Sequence, residues 1–357
     1  MDIIMPKLGM TMTSGVVVQW HKQNGDMVTA GEPICEVETD KLNSEIEADA
    51  TGVLTIVAQE GDELGIGATL GQIAVVEGSK QQAAPKKSES AGSELEKISA
   101  NGISLAVQRS GTGYPLILIH GLASSMSLWA GLDASQLEGL QIISYDLRGH
   151  GTSERPAGAH TLTKHIGDLK GLLAALDIKR ALFAGLSLGG MIVMELAASN
   201  PEMVAGLALL DTTASFPQRT RDLFFELASS ASFNGMSAVT DRFLQLSFSP
   251  QFMEANPKMI ATIRKGMLAS DAGSIASASR MVAKVDLSQR LSAIRTPVMV
   301  LVGAQDQLAP PGLSEGLAAG IDGATLQVIP DSGHASPVEQ PAIVTAALAE
   351  LAKAREA

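Results

Sequence analysis

The sequence contains a single cysteine and no cluster of Cys and His residues with the spacing of zinc ligands. One cysteine, Cys35, cannot form an internal disulfide, so we expect a reducing compartment and no metal site. Because Cys35 lies in an apolar run without basic neighbours, it is predicted to fill a core rather than act as a nucleophile.

Long hydrophobic runs are also missing. No uninterrupted apolar stretch reaches the roughly 18 residues that a membrane helix needs. The first six residues lack the basic and apolar regions of a secretory signal. We therefore expect a cytoplasmic protein with no membrane association. At 357 residues and 45% apolar content, the chain is long enough for two domains of unequal size.

Basic residues are scarce in the N-terminal part. Residues 1–77 contain three Lys and thirteen Asp or Glu, a net charge of −10 out of −12 for the whole chain. Such a surface disfavours nucleic acid, which is bound through basic phosphate contacts, and suits basic patches on partner proteins. An acidic face that only aids solubility is an equal alternative.

What the N-terminal part does contain is an internal repeat. Gly25-Asp26-Met27-Val28 is matched 36 residues later by Gly61-Asp62-Glu63-Leu64. Two similar halves of short apolar runs with Gly and Asp turns predict a pseudo-symmetric all-β domain over residues 1–77. Residues 78–94 are small, polar and charged without periodicity, which predicts a flexible linker.

From residue 95 onward, short apolar runs alternate with helical patterns. This alternation predicts a mostly parallel sheet covered on both faces, in a second domain over residues 95–357. Between about 212 and 288 no strand is predicted, and we expect a helical cap. The predicted strands are 116–119, 142–145, 181–184, 207–210, 298–302 and 326–329.

One lysine lies on a polar turn between the two halves of the repeat. The segment Glu38-Thr39-Asp40-Lys41-Leu42 resembles the lipoyl domain of 2-oxo acid dehydrogenase complexes. The resemblance implies a flattened β-barrel with lipoate attached covalently to Lys41. Biotin carriers share this fold but typically flank the lysine with methionines, so Asp40 and Leu42 favour lipoate. An ordinary surface lysine is the remaining alternative.

A second motif, Gly185-Leu186-Ser187-Leu188-Gly189, follows the predicted strand 181–184 and precedes a predicted helix over 188–200. A strand, a sharp turn and a helix in this order present the Ser187 hydroxyl at the helix N-terminus. The two flanking glycines allow a tight turn and close packing that side chains would block. The pattern therefore predicts a nucleophilic serine.

Asp306 and His334 each come just after a predicted strand. Residues 95–357 resemble α/β-hydrolases, in which the catalytic residues follow the chain order Ser, Asp, His. The resemblance implies a catalytic triad of Ser187, Asp306 and His334, with the backbone N–H groups of Leu122 and Leu188 as the oxyanion hole. Asp211 also ends a strand and is an alternative acid.

The fusion of these two domains is similar to the acyltransferase (E2) components of bacterial acetoin dehydrogenase complexes. The resemblance implies transfer of an acetyl group from dihydrolipoyl-Lys41 to coenzyme A, with a thiamine-diphosphate-dependent E1 and a dihydrolipoyl dehydrogenase E3 as partners. The H-x-x-x-D-G signature of ordinary E2 proteins is absent from the sequence. A hydrolase of esters, thioesters or carbon–carbon bonds, and a catalytically idle scaffold, are the alternatives.

Overall fold

The chain divides into two compact units, residues 1–88 and 89–357. A computed structural model describes residues 2–6, 14–28, 32–38, 43–48, 52–75 and 95–355. The predicted linker 78–94 lies outside the described residues, and so does Lys41.

The N-terminal unit consists of short antiparallel strands in two four-stranded sheets. The sheets have the strand orders β1-β8-β6-β3 and β5-β4-β2-β7, which confirms the predicted all-β fold. Their apolar side chains form one core. Cys35 belongs to it, and burial raises the pKa of its thiol to about 12. The strands are β1 (Asp2–Ile4), β2 (Ser14–Trp20), β3 (Met27–Val28), β4 (Pro33–Glu38), β5 (Asn43–Glu47), β6 (Gly52–Ile56), β7 (Glu63–Gly65) and β8 (Thr69–Val75).

The sequence repeat has a direct structural counterpart in two equivalent turns. Gly25 and Gly61 adopt φ angles of +96° and +92°, a left-handed region that favours glycine. The carboxylate of Asp26 accepts a hydrogen bond from the amide three residues before it at 2.8 Å, and that of Asp62 does the same at 2.8 Å. The repeated Gly-Asp pair therefore encodes one turn, used twice.

The strands on either side of the predicted lipoate attachment site form a hairpin. Strands β4 and β5 pair antiparallel, with Glu38 directly opposite Asn43. Only residues 39–42, with Lys41 among them, join the two strands, and these four lie outside the described residues.

The C-terminal unit is built on one eight-stranded sheet with the strand order β16-β15-β14-β13-β11-β12-β10-β9. Strands β11 to β16 pair in parallel, and β9 and β10 form an antiparallel edge. All six predicted strands are confirmed, whereas β9 and β10 were not predicted individually. The strands are β9 (Leu95–Ala100), β10 (Ile103–Ser110), β11 (Tyr114–Ile119), β12 (Leu140–Tyr145), β13 (Ala181–Leu186), β14 (Val204–Leu210), β15 (Val298–Gly303) and β16 (Thr325–Ile329).

Helices cover both faces of this sheet. Alternate residues of β11 belong to two different cores, Ile117 to one and Leu118 to the other, because successive side chains of a strand point to opposite faces. Leu172 and Ile192, from the helices over the first face, join one core, and Leu348 joins the other. The helices that cover the two faces are α1 (Leu162–Ala175), α2 (Leu188–Ser199), α8 (Pro311–Ala319), α9 (Ser336–Glu339) and α10 (Pro341–Ala354).

The segment between β14 and β15 is helical, as the sequence predicts. Its helices α3 and α7 pack on each other, and its apolar side chains join the core on the first face of the sheet. In the described part of the chain, no helix has the length and apolar character needed to span a bilayer. The helices of this cap are α3 (Gln218–Asn234), α4 (Thr240–Ser247), α5 (Pro250–Ala255), α6 (Pro257–Leu268) and α7 (Ala272–Val282).

Candidate active site

Ser187 occupies a strained turn between β13 and α2. Its φ and ψ angles are +52° and −112°, a conformation that a residue with a side chain rarely adopts. Two neighbours hold the turn in place. The Ser187 N–H donates to the Leu210 carbonyl at 2.9 Å, and the Ser187 carbonyl accepts from Thr212 Oγ1 at 2.8 Å.

The glycines of the motif allow the close packing that the turn requires. A Cβ atom at Gly189 would lie 2.2 Å from the Ile119 carbonyl oxygen, and one at Gly185 would lie 2.4 Å from the Gly189 carbonyl carbon. Neither contact is possible for a real side chain, and each involves backbone that cannot move aside. The turn therefore needs glycine on both sides of Ser187.

His334 and Asp306 are joined by a hydrogen bond of 2.8 Å between Nδ1 and Oδ2. The other carboxylate oxygen of Asp306 accepts from the amides of Leu308 and Ala309 at 2.8 and 2.9 Å. Asp306 is thus held by its own loop and presents one oxygen to the imidazole. In the neutral tautomer that this bond favours, Nδ1 carries the proton and Nε2 is the basic nitrogen.

The surroundings of His334 influence its charge. Burial lowers the pKa of the imidazole, but the negative charge of Asp306 and the hydrogen bond to it more than offset burial. Asp211 and Glu339 act in the same direction. The pKa of His334 is therefore raised above its ordinary value of 6.5, so that the group is a stronger base than a free imidazole.

Asp211, the alternative acid, does not bond to His334. Its two carboxylate oxygens accept from the backbone amides of Gly303 at 2.8 Å and Ser336 at 3.1 Å. Burial, followed by the charge of Asp306, raises the pKa of this carboxyl group. Asp211 ties the end of β15 to the start of α9, while Asp306 is the acid placed on the imidazole.

The predicted oxyanion donors are the backbone N–H groups of Leu122 and Leu188. Leu188 is the first residue of α2, and the first amides of a helix have no intrahelical partner. Leu122 lines the same cavity as Ser187. The preceding His120 is buried, donates from Nδ1 to Gly121 and accepts the Leu147 N–H at Nε2. Burial lowers its pKa to about 4, so neutral His120 positions this loop.

Ser187 and His334 open onto one cavity of about 600 Å³, within the size range of small-molecule sites. Its walls come from the loop at residues 121–131, from the ends of β13 and the His334 loop, and from the cap. The cap residues that line it include the apolar side chains of Phe224, Phe248 and Met267.

Sequence reasoning missed Glu339, a buried carboxylate behind the His334 loop. It accepts from Gly333 N at 2.8 Å, from Ser249 Oγ at 2.5 Å and from Ser249 N at 3.1 Å. Glu339 therefore joins the loop that carries His334 to the start of α5 in the cap. The only sequence signal is its place five residues after His334, which is not specific by itself.

A second polar cluster supports the loop after β12. Arg148 makes a bidentate ion pair with Asp168 of α1, with distances of 2.5 and 2.6 Å, and both side chains are buried. Asn101 also donates to Asp168 at 2.9 Å. The ion pair therefore ties this loop to α1, and the Asn101 hydrogen bond ties α1 to the turn between β9 and β10. Across the described ranges, no group of three or more His, Cys, Asp or Glu side chains is arranged to hold a metal ion.

Both units match known families. Residues 114–341 match the family described as alpha/beta hydrolase fold, and residues 1–73 match the family described as biotin-requiring enzyme. The chain therefore belongs to the α/β-hydrolase fold family and carries an N-terminal domain of the biotin and lipoyl type.

Two curated relatives have the name dihydrolipoyllysine-residue acetyltransferase component of acetoin cleaving system. The Pseudomonas putida protein is 32% identical over 58% of this chain and 60% of its own length, and the Cupriavidus necator protein is 28% identical over 95% and 93%. The chain thus spans about three fifths of the first relative and nearly all of the second. Among solved structures, an enol-lactonase from Burkholderia xenovorans is 30% identical, with a TM-score of 0.70 over 72% of this chain and 100% of its own.

Proposed function

We propose that this protein is the acyltransferase (E2) component of an acetoin dehydrogenase-type complex, and that it moves an acetyl group from dihydrolipoyl-Lys41 to coenzyme A. The observation that carries the proposal is the presence of a Ser, His and Asp site in the same chain as a lipoyl-type domain. The similarity to the Cupriavidus necator relative, which covers both domains, supports it.

We assign Ser187 as the nucleophile of the first half-reaction. Its Oγ attacks the carbonyl carbon of the donor thioester while His334 Nε2 takes the hydroxyl proton. The N–H groups of Leu122 and Leu188 stabilise the tetrahedral oxyanion. When the C–S bond breaks, His334 returns the proton to the departing sulfur, which leaves an acetyl ester on Ser187.

The second half-reaction reverses these roles with a new thiol. His334 takes the proton of the coenzyme A thiol, whose sulfur attacks the Ser187 ester, and the proton then returns to Ser187 Oγ. Throughout both steps, Asp306 holds the imidazole in one tautomer and stabilises its positive charge. The products are a thioester and the free serine, so the cycle is closed without a further reactant.

Lys41 would hold lipoate through an amide bond, and lipoate supplies a thiol that carries the acyl group as a thioester. The β4 and β5 hairpin fits this role because Glu38 pairs with Asn43, which leaves only four residues between the strands. E1 and E3 of the same complex are the expected partners.

A hydrolase is the second candidate. The observation that favours it is the 30% identity with an enol-lactonase over nearly the whole catalytic unit. In that case water replaces coenzyme A in the second half-reaction, and the N-terminal domain serves a separate transferase.

A single-turnover assay separates the candidates. S-acetyl-dihydrolipoamide is mixed with the protein and coenzyme A, and acetyl-CoA and free acetate are both measured. We expect acetyl-CoA from the native protein and from Ser199→Ala, a control at the exposed end of α2, but not from Ser187→Ala. Acetate alone would indicate the hydrolase. Turnover unaffected by Ser187→Ala would mean that the catalytic unit is a scaffold.

The carrier function has its own test. Intact mass of the protein from lipoate-fed cells should show one lipoyl group, which the Lys41→Arg variant lacks. Arginine keeps the positive charge but cannot form the amide. An unmodified native protein from a host that lipoylates other carriers would contradict the assignment of Lys41.

A further inference from the structure

The cavity that Ser187 opens onto has a largely uncharged wall in the part of the chain that the structure describes. Across the described residues 95–355, its lining contains no Asp, Glu, Lys or Arg, and His334 is its one titratable group. Apolar side chains form much of the wall: Leu122, Leu128, Phe224, Phe243, Phe248 and Met267. Apart from Ser187 and His334, its polar side chains carry hydroxyl groups: Ser124, Ser125, Ser127, Ser247, Thr262 and Ser270.

The cap helix α6 lines the cavity with its uncharged face. The residues of α6 that line it recur at helical spacing: Met259, Thr262, Ile263, Gly266 and Met267. The charged residues of the same helix are Lys258, Arg264 and Lys265, and none of them lines it. Arg264 is instead paired with Asp241 at 2.7 Å.

The buried groups near Ser187 are acidic rather than basic. Asp306, Asp211 and Glu339 are each buried and bonded to backbone amides or to His334. A carboxylate carried by the substrate would find no lysine or arginine in the described lining of the cavity, and the Asp306 carboxylate behind His334 would repel it. Burying an unpaired charge is strongly unfavourable, whereas an uncharged chain against Phe and Met side chains is stabilised.

From these observations we infer that the site selects neutral, apolar acyl groups, including chains several carbons longer than acetyl, and rejects acyl groups that end in a carboxylate. The inference rests on the proposed chemistry of Ser187 and names the class of acyl group that this chemistry accepts. The volume of about 600 Å³ leaves room well beyond a two-carbon group.

Donors of matched length and one common thiol test this selectivity. Initial rates with acetyl, butyryl, hexanoyl, succinyl and adipoyl thioesters of dihydrolipoamide give kcat/KM for each. Because the thiol is the same throughout, the comparison reports the acyl part alone. We expect kcat/KM to rise about fourfold per added methylene, at least to butyryl. We expect butyryl to exceed succinyl, its equal in chain length, by at least about a hundredfold.

A lysine placed on the lining face of α6 should relax this selectivity. Thr262→Lys puts an ammonium group at the cavity, and we expect the ratio of butyryl to succinyl kcat/KM to fall at least about tenfold. Ala261→Lys adds the same charge to the adjacent residue, which is exposed and outside the lining, and should leave the ratio unchanged.

The outcomes separate this inference from the proposed function. Absence of turnover with every donor would contradict the chemistry of Ser187 itself. Turnover of acetyl with succinyl equal to butyryl, or with rates that fall as neutral chains lengthen, would overturn the inference and leave that chemistry standing. A ratio that neither lysine variant changes would overturn the assignment of selectivity to this cavity.

Discussion

The two units of this chain are specified by their sequences in different ways. In the N-terminal unit, one local pattern is used twice, and each copy folds through contacts three residues apart, such as those of Asp26 and Asp62. In the C-terminal unit, Ser187, Asp306 and His334 are far apart in the chain, and the parallel order of β13, β15 and β16 brings them to one edge of the sheet. Turns can therefore be encoded locally, whereas a site of this kind depends on topology.

The largest effect is expected from removing the nucleophile of the C-terminal unit. Ser187→Ala should reduce kcat for acyl transfer by about 10⁶, because the triad members act as a unit. It should leave lipoylation of Lys41 unchanged, since that reaction concerns the other unit. Stopped-flow transfer assays and intact mass measure the two effects. A loss of less than tenfold would contradict the assignment.

The next largest effect is expected from Asp306→Asn, which should reduce kcat by about 10⁴ because the imidazole loses its tautomer. The base must be neutral to accept a proton, so activity falls as the pH drops through the pKa of His334. Without the charge of Asp306 this pKa decreases, and the acid limb of kcat/KM should move to lower pH. Asp322→Asn, at an exposed position, is the control. An unchanged acid limb in the Asp306→Asn variant would contradict the pairing of Asp306 with His334.

Glu339→Gln should have a smaller effect within the C-terminal unit. The substitution removes a charge that raises the pKa of His334, so the acid limb should shift to lower pH by less than in Asp306→Asn. It also disturbs the bonds to Gly333 and Ser249, and we expect a loss of about 1–3 kcal/mol in the free energy of unfolding. Urea denaturation and pH profiles measure both effects, with the exposed Glu350→Gln as control. A destabilised variant with an unshifted limb would make Glu339 purely structural.

The smallest effects test the symmetry of the N-terminal unit. Asp26→Ala and Asp62→Ala each remove one equivalent hydrogen bond from an exposed turn, at a cost of about 1 kcal/mol in the free energy of unfolding. The two losses should be equal within error, and neither should change transfer from free S-acetyl-dihydrolipoamide. Thermal denaturation of the two variants measures this. If only one of the two variants loses stability, the two turns are not equivalent.

The same contrast explains what the sequence could predict. The repeat, the six parallel strands and the helix after Ser187 follow from short-range patterns, and all are confirmed. The resemblance to α/β-hydrolases implied Asp306 as the acid and left Asp211 as an alternative, and only the three-dimensional contacts show that Asp306 is the one bonded to His334. Glu339 could not be found at all, since its partners Gly333 and Ser249 meet only when the cap folds over the sheet.

The proposed mechanism requires that the acetyl group passes through Ser187. Acid quenching of the reaction with S-acetyl-dihydrolipoamide, followed by peptide mass spectrometry, tests it directly. We predict an acetyl group on the peptide that contains Ser187. After coenzyme A is added, this acetyl group should disappear at the same rate as acetyl-CoA forms. Acetyl-CoA formation with no acetyl group on Ser187 at any time would contradict the account.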